Sequence, residues 1–279
     1  MKVSTIILTY NEAANLPACL DALSWCDDIV VLDSGSTDDT VELARRYEAR
    51  VIARPFDNFA AQRNYGVEAG DLRHEWVLHL DADEIVTPRF VKALDDLDPP
   101  ADILAYRVPS KLILFGKWLR HAGMYPTYQV RLGKRDHLKF KQVGHGQRED
   151  LPPEFISSFE EPYLHYSFSQ GLRCWLIKHV RYAADEAEWL LDMHRENEER
   201  QSLIKSDAVE RRRAAKNLAA RLPLFLRPPA RFFYVYFLRQ GFRDGRAGLT
   251  YSLMLSVYEG MIAVLAYEAV FKALGKTDN

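Results

Sequence analysis

The sequence predicts an α/β fold: a mixed, mostly parallel sheet with flanking helices, followed by an α-helical C-terminal region. Three observations predict it. Short β-branched apolar runs alternate with amphipathic stretches over the first hundred residues, the pattern of strands whose two faces are both covered by crossover helices. Each run ends in polar or acidic residues, as the strand ends of a ligand-binding sheet edge do. From about Gly171 a helical period takes over.

The elements follow in order. VSTIILT at 3–9 is a strand-length run, and Leu16, Leu20 and Leu23 give an amphipathic helix within 13–23. IVVL at 29–32 is the second strand, and its loop, DSGSTDDT, offers Thr37 or Asp38 as the cap of a helix over 40–47. A third strand is predicted at 50–53, a helix at 58–69 and a fourth strand at 76–80, which runs into Asp81, Asp83 and Glu84. The next helix starts near Pro88, with Asp83 or Glu84 as candidate caps. Beyond Pro99-Pro100 the pattern loosens. Strand-like runs at 103–108 and 128–132 flank FGKWLRHAGMYPTY, and GHGQREDLPPE follows. Helical periodicity runs over 172–191 and 207–222 until Pro223, Pro228 and Pro229 interrupt it. This organisation predicts two domains, 1–170 and 171–279.

A chain of 279 residues, 48% hydrophobic and 27% charged, without repeats or low-complexity tracts, is neither disordered nor a solenoid. The net charge of -2 conceals an asymmetry: residues 211–246 hold ten basic side chains and one acid, Asp244. Such a block beside apolar sequence suits an anionic membrane surface rather than nucleic acid. The apolar stretch 249–274 is cut by Glu259, Glu268 and Lys272 into uncharged runs of ten residues or fewer. An interfacial helical hairpin is therefore expected ahead of a transmembrane span or a buried subdomain, with Phe232, Phe233, Tyr234, Tyr236 and Phe237 at the boundary. Cys19, Cys26 and Cys174 form no C-x-x-C pair, which points to a reducing cytoplasm and away from a disulfide framework or a zinc site. The segment MKVSTIILTYNEA lacks the basic start and long apolar core of a signal peptide.

Two carboxylates one residue apart at a strand mouth, Asp81 and Asp83, can reach a single hard cation such as Mg2+ or Mn2+. Asp33 opens a loop of small residues, where a carboxylate can meet a base or ribose; the same segment also suits an Asx turn. A nucleotidyltransferase would carry glycines in its first loop, and residues 9–15, TYNEAAN, have none.

Taken together, TIILTYNEAANLPACLDAL, IVVLDSGSTDDT, FAAQRNYGVEAG and WVLHLDADE resemble the family 2 glycosyltransferases, inverting enzymes of the GT-A fold that use nucleotide-diphosphate sugars. YQVRLGKRDHLKF, HGQRE, YLHYSF and RFFYVYFLRQGFRDGRAGL are similar to the branch that glycosylates lipopolysaccharide core or other envelope glycans. The resemblance divides the first domain into a nucleotide-sugar-binding half, 1–100, and an acceptor-side half, 101–170. It implies nucleoside contacts from Thr9, Tyr10, Glu12 and Asp33, a diphosphate or base contact from Arg63, and Asp81 near the ribose. It also implies a metal held by Asp83, with Asp81 and His165 as further candidates, and a general base at Glu149 or, failing that, Asp150. Many relatives carry an adjacent His-Glu where this chain separates His145 from Glu149.

The expected protein is thus a metal-dependent hexosyltransferase on the cytoplasmic face of a bacterial inner membrane. It would take a UDP-sugar to a glycolipid or lipid-linked acceptor, and a homo-oligomer is compatible with the sequence. A polyprenyl-phosphate sugar transferase is the second reading, and an inactive nucleotide-sugar-binding membrane scaffold the third.

Overall fold

Four β-branched runs become parallel strands, β1 (Val3–Thr9), β2 (Ile29–Asp33), β3 (Arg50–Ala53) and β4 (Trp76–Asp81). They are linked through α1 (Leu16–Asp21), α2 (Thr40–Arg46) and α3 (Phe59–Ala69). The structure, a computed structural model, describes residues 1–143, 146–196 and 223–274. His145 and the helix expected over 207–222 lie outside the described residues. The chain divides into two compact units: Met1–Trp118 with Tyr125–Gln170, and Leu119–Met124 with Gly171–Asn279. The short segment Leu119–Met124, expected within the acceptor-side half, is thus grouped with the C-terminal helices.

In the first unit the chain continues through β5 (Glu84–Ile85), α4 (Pro88–Asp95), β6 (Ala105–Leu114), β7 (Lys117–Trp118) and β8 (Thr127–Lys134). It ends in β11 (Ile156–Ser158) and β12 (Tyr163–His165), after a separate hairpin of β9 (Phe140–Val143) and β10 (Gly146–Glu149). The main sheet has the order β3-β2-β1-β4-β8-β6-β12-β5, with β7 and β11 paired to β6. Strands β1 to β4 are parallel, whereas β8 is antiparallel to both β4 and β6. The sheet is therefore mixed and mostly parallel, as the sequence predicts.

Both faces of β1 are buried, which is why its sequence reads as a continuous apolar run. Val3 and Ile7 join Leu16, Leu20, Leu78, Leu80, Phe90 and Leu94 in one layer. Ile6 joins Val30, Leu72 and Val77 in the other. Helix α3 lies close on this second face: a Cβ at Gly66 would stand 3.1 Å from Ile6 Cγ2. Helix α4 is capped by Thr87, whose hydroxyl accepts from Phe90 N at 3.2 Å, so neither Asp83 nor Glu84 serves that helix. Asp39 stands at the N-cap of α2, while Asp38 Oδ1 accepts from Thr40 N at 3.1 Å.

The second unit contains α5 (Leu172–Glu196), α6 (Arg227–Phe233), a π-helical turn (Tyr234–Leu238) and α7 (Gly245–Leu274). Ala183 and Ala187 of α5 pack on Ile262 and Ala266 of α7, small residues that let the helices approach closely. Buried Asp244 accepts from His121 N at 2.9 Å and Ala122 N at 2.8 Å, and Ala122 packs on Val235 and Leu255. The acid that interrupts the basic block thus has a structural task.

At the N-terminal edge of the sheet, buried Asp28 accepts from Ser4 Oγ at 2.5 Å, Arg73 N at 2.8 Å and Arg50 Nη2 at 2.6 Å. Burial alone would raise this carboxyl, but those hydrogen bonds and the Arg50 charge carry it below the ordinary carboxylate range. A depressed carboxyl contributes stability above its unfolded pKa and loses that contribution as pH falls. Asp28→Ala should destabilise the fold by about 2–4 kcal/mol at neutral pH, because it strands donors in a half-buried site. Urea melts should show this difference shrinking as the pH drops below about 4, within the ordinary Asp range.

Candidate functional site

The strand order reverses between β1 and β4, since β1 leads outward to β2 and β3 on one side and meets β4 on the other. Such a switch point opens a crevice at the carboxyl ends of the strands. Register aligns Thr9 with Asp33 and Leu8 with Asp81. Asp33 and Asp81 therefore lie on the two strands that flank β1, two strand spacings or about 10 Å apart along the sheet and one residue out of register with each other.

The β1 and β2 loops are laced together. Asp33 is buried, and its carboxylate accepts from Thr9 Oγ1 at 2.9 Å, Gly35 N at 3.0 Å, Ser36 N at 2.8 Å and Ser36 Oγ at 2.5 Å. Four donors fill the four lone-pair directions of a carboxylate. The Asx-turn reading of this segment thus holds alongside any ligand role, and Asp33 is not the unengaged acceptor that its place in the loop suggests. Asn11, at φ 54°, donates its amide to Ser36 Oγ at 2.8 Å and accepts from Thr37 N at 2.8 Å. Glu12 N donates to Thr40 Oγ1 at 2.8 Å, Glu12 Oε2 accepts from Asn15 Nδ2 at 2.6 Å, and Tyr10 is exposed beside them.

Three consecutive residues of α3 fix three different elements, because successive helical side chains fan out by about 100°. Gln62 Nε2 donates to Ser34 Oγ and to Pro55 O, each at 3.2 Å. Arg63 Nη2 donates to Asp81 Oδ1 at 2.7 Å. Asn64 exchanges two hydrogen bonds with the Phe140 backbone, each 2.9 Å long, which pins β9 to the helix. Register sets Glu149 opposite Phe140, whose ring faces Arg63 at 5.9 Å.

Beneath the carboxylates lies a second arginine. Arg131 Nη2 donates to Asp81 Oδ2 at 2.8 Å and to Glu84 Oε1, and Glu84 Oε2 accepts from Asp81 N at 3.0 Å. Arg63, Arg131 and Glu84 are almost completely buried. Two cations and two carboxylates thus balance within the protein interior, where an unpaired charge would be strongly disfavoured. Burial alone would raise Asp81, yet Arg131 and Arg63 hold it well below the ordinary range. Burial raises Glu84, with Arg131 opposing the shift. His79, edge-on to Phe140 at 5.1 Å, is pushed well below its ordinary range by burial and by the two arginines, so it is neutral at neutral pH.

Asp83 and His165 form the more open part of the site. Their side chains are 22% and 25% exposed, and His165 Nε2 lies 3.5 Å from Asp83 Oδ2. Burial lowers the imidazole, but Asp83 outweighs it and carries the group up to about 8. The β5–β12 pairing brings them together, with His165 in register with Glu84. An oxygen and a nitrogen donor this close fit part of a divalent cation's shell. Asp81 fits less well, since an arginine occupies each of its oxygens. Among the described residues no group of three or more His, Cys, Asp or Glu side chains is arranged to hold a metal. Asp150 is exposed and paired with Lys141 at 2.8 Å, whereas Glu149 is half-buried.

Sequence reasoning missed the roles of Gln62, Asn64 and Glu84. A signal for Arg131 was present: a lone cation inside the apolar strand QVRL needs a buried partner.

A doubly wound sheet with carboxylates, an arginine and small-residue loops at its switch point has the layout of an α/β protein with a ligand crevice at its strand ends. The chain belongs to glycosyl transferase family 2, whose profile it matches over residues 4–148, and its first unit has that family's GT-A architecture. It is 27% identical to the lipopolysaccharide core biosynthesis glycosyltransferase LpsC of Rhizobium meliloti, over 96% of this chain and 93% of that one. An uncharacterized glycosyltransferase of Rickettsia felis is 36% identical over 84 residues, 30% of this chain and 29% of that protein. Among solved structures, glucosyl-3-phosphoglycerate synthase of Mycobacterium tuberculosis with phosphoglyceric acid aligns at a TM-score of 0.49 and 20% identity, covering 68% of this chain and 79% of that one.

Arg131→Met should destabilise the protein by about 3–5 kcal/mol, because it leaves Glu84 buried without its cation. Thermal unfolding checks this. The double variant Arg131→Met with Glu84→Gln should recover part of the loss, since it removes the stranded charge.

Proposed function

We propose that this protein is an inverting hexosyltransferase that moves a sugar from a nucleotide diphosphate, a UDP-sugar, to an envelope glycolipid such as lipopolysaccharide core. The observation that carries the reading is that Asp33 and Asp81 end the two strands flanking β1 at the switch point, with Asp83 and His165 paired close after Asp81. The end-to-end likeness to a lipopolysaccharide core glycosyltransferase supports the acceptor class. A peripheral position on the cytoplasmic face of the inner membrane follows from such an acceptor.

In this reading Thr9, Tyr10, Glu12 and the loop organised by Asp33 receive the nucleoside. Arg63, with buried Nε and Nη1 atoms that have no hydrogen-bond partner, offers donors toward the base or diphosphate. Asp81, fixed by two arginines, orients the ribose side. Asp83 and His165 would hold Mg2+ or Mn2+, which would supply positive charge against the departing diphosphate. Glu149 takes the proton from the acceptor hydroxyl as its oxygen bonds to the anomeric carbon. The bond from that carbon to the diphosphate oxygen breaks on the opposite face, and the electron pair leaves with the nucleotide. The ion pair to Lys141 makes Asp150 the weaker candidate for base.

Asp83→Ala should abolish metal-stimulated UDP-sugar hydrolysis and sugar transfer while leaving the fold intact; unchanged turnover would favour an inactive scaffold. Glu149→Gln should lower transfer by about 10²–10⁴-fold, the usual contribution of a positioned base. The basic, apolar second unit also suits a polyprenyl phosphate acceptor, which needs no such base. Near-normal transfer by Glu149→Gln would favour that second reading.

A further inference from the structure

Helix α7 is 30 residues long and apolar enough, by length and composition, to cross a membrane. Only 28% of its most apolar window is buried, so it is not the core helix of a soluble subdomain. Six of its exposed apolar side chains form one stripe, Leu249, Leu253, Val257, Val264, Tyr267 and Phe271, with Val270 standing off it. Glu259, the charge in mid-helix, is turned away from solvent and paired with Arg227 at 2.9 Å. The chain just before α7 adds exposed Phe233, Phe237, Leu238 and Phe242.

The opposite side of α7 carries α5, packed through Ala183 and Ala187. Helix α5 exposes Arg173, Lys178, Arg181, Asp185 and Glu188, five charges that outnumber Ile177 and Val180 on the same face. A spanning α7 would drag these charges into hydrocarbon, where each is strongly disfavoured. One side of the helix pair therefore suits water and the other suits lipid. Charge selects the lipid. Arg243 and Arg246 are exposed at the start of the stripe, Arg239 is half-exposed beside them, and Asp244 is consumed by the His121 and Ala122 amides, which brings exposed Arg120 to the same end. Among the described residues the only exposed acid on α7 is Glu268, which is paired with Lys272. A second copy meeting this face about a two-fold axis would gain arginines without carboxylates to receive them.

We propose that the second unit lies flat on an anionic bilayer, with the α7 stripe submerged among the acyl chains and Arg239, Arg243 and Arg246 on the phosphates. The inference deepens the membrane-peripheral reading above and names its lipid class, surface and orientation. A helix of this kind sits about 5–10 Å into the interface.

The full chain should co-sediment with phosphatidylcholine vesicles containing phosphatidylglycerol and only weakly with phosphatidylcholine alone. Salt should weaken the binding, and alkaline carbonate should release it. Arg243→Gln with Arg246→Gln should lower the partition coefficient about thirtyfold, roughly fivefold for each charge. Leu253→Ser with Val264→Ser should reduce binding to both vesicle types, and circular dichroism confirms that these surface variants fold. Equal binding to neutral and anionic vesicles that resists carbonate would overturn the proposal in favour of a span. Absent vesicle binding with a dimer in light scattering would overturn it in favour of a second copy. UDP-sugar hydrolysis without vesicles should be unchanged in both double variants. Vesicle binding by a wild-type chain that hydrolyses no donor would sink the transferase reading and leave this one standing.

Discussion

The pairing of Arg63 and Arg131 with Asp81 and Glu84 is the constraint on which the rest of the site depends. The switch point of a doubly wound sheet gathers polar strand ends above an apolar core, and carboxylates at that depth need partners. Here each Asp81 oxygen meets a different arginine, and Glu84 holds both Arg131 and the Asp81 amide. The network fixes the turn after β4 from below. It also divides the acidic segment into a neutralised, buried part and an open part, Asp83 with His165.

The same network explains the interior polarity of α3. A helix packed on a sheet would ordinarily present apolar side chains, yet Gln62 and Arg63 are among its buried residues. Close approach at Gly66 and short Ala60 leave room for long polar side chains that reach the strand ends. Gln62 ties the helix to the β2 loop, Arg63 to β4 and Asn64 to β9. One turn of helix therefore sets the relative positions of the β2 loop, the acidic turn and the hairpin that carries Glu149.

Most of the parallel half of the sheet was legible in the sequence because β1, β2 and β4 are buried on both faces and read as unbroken apolar runs. The later half was less legible. Strand β6 extends to Leu114, well past the apolar run that announces it, and β5, β7 and β12 are only two or three residues long. Such short strands are held by pairing rather than by their own periodicity. For the candidate site, spacing and resemblance put forward Asp33, Arg63, Asp81 and Asp83. Their charge pairing could not be read that way, because one of the two partners of Asp81, Arg131, lies fifty residues away on β8. The internal hydrogen bonds of Asp33 were legible only as one of two alternatives.

The second unit obeys a different logic, in which a helix pair has one charged face and one apolar face. Its basic block was plain in the sequence, but the direction of its residues was not, since that depends on which side of α7 receives α5. The most direct test of the central claim, that a charge-paired sheet edge is a nucleotide seat, is calorimetric titration of UDP into the full chain with and without Mn2+. The account predicts one site per chain, tighter with Mn2+, and lost in an Arg63→Met variant that still melts cooperatively. Absence of binding, or binding indifferent to Arg63, would contradict it.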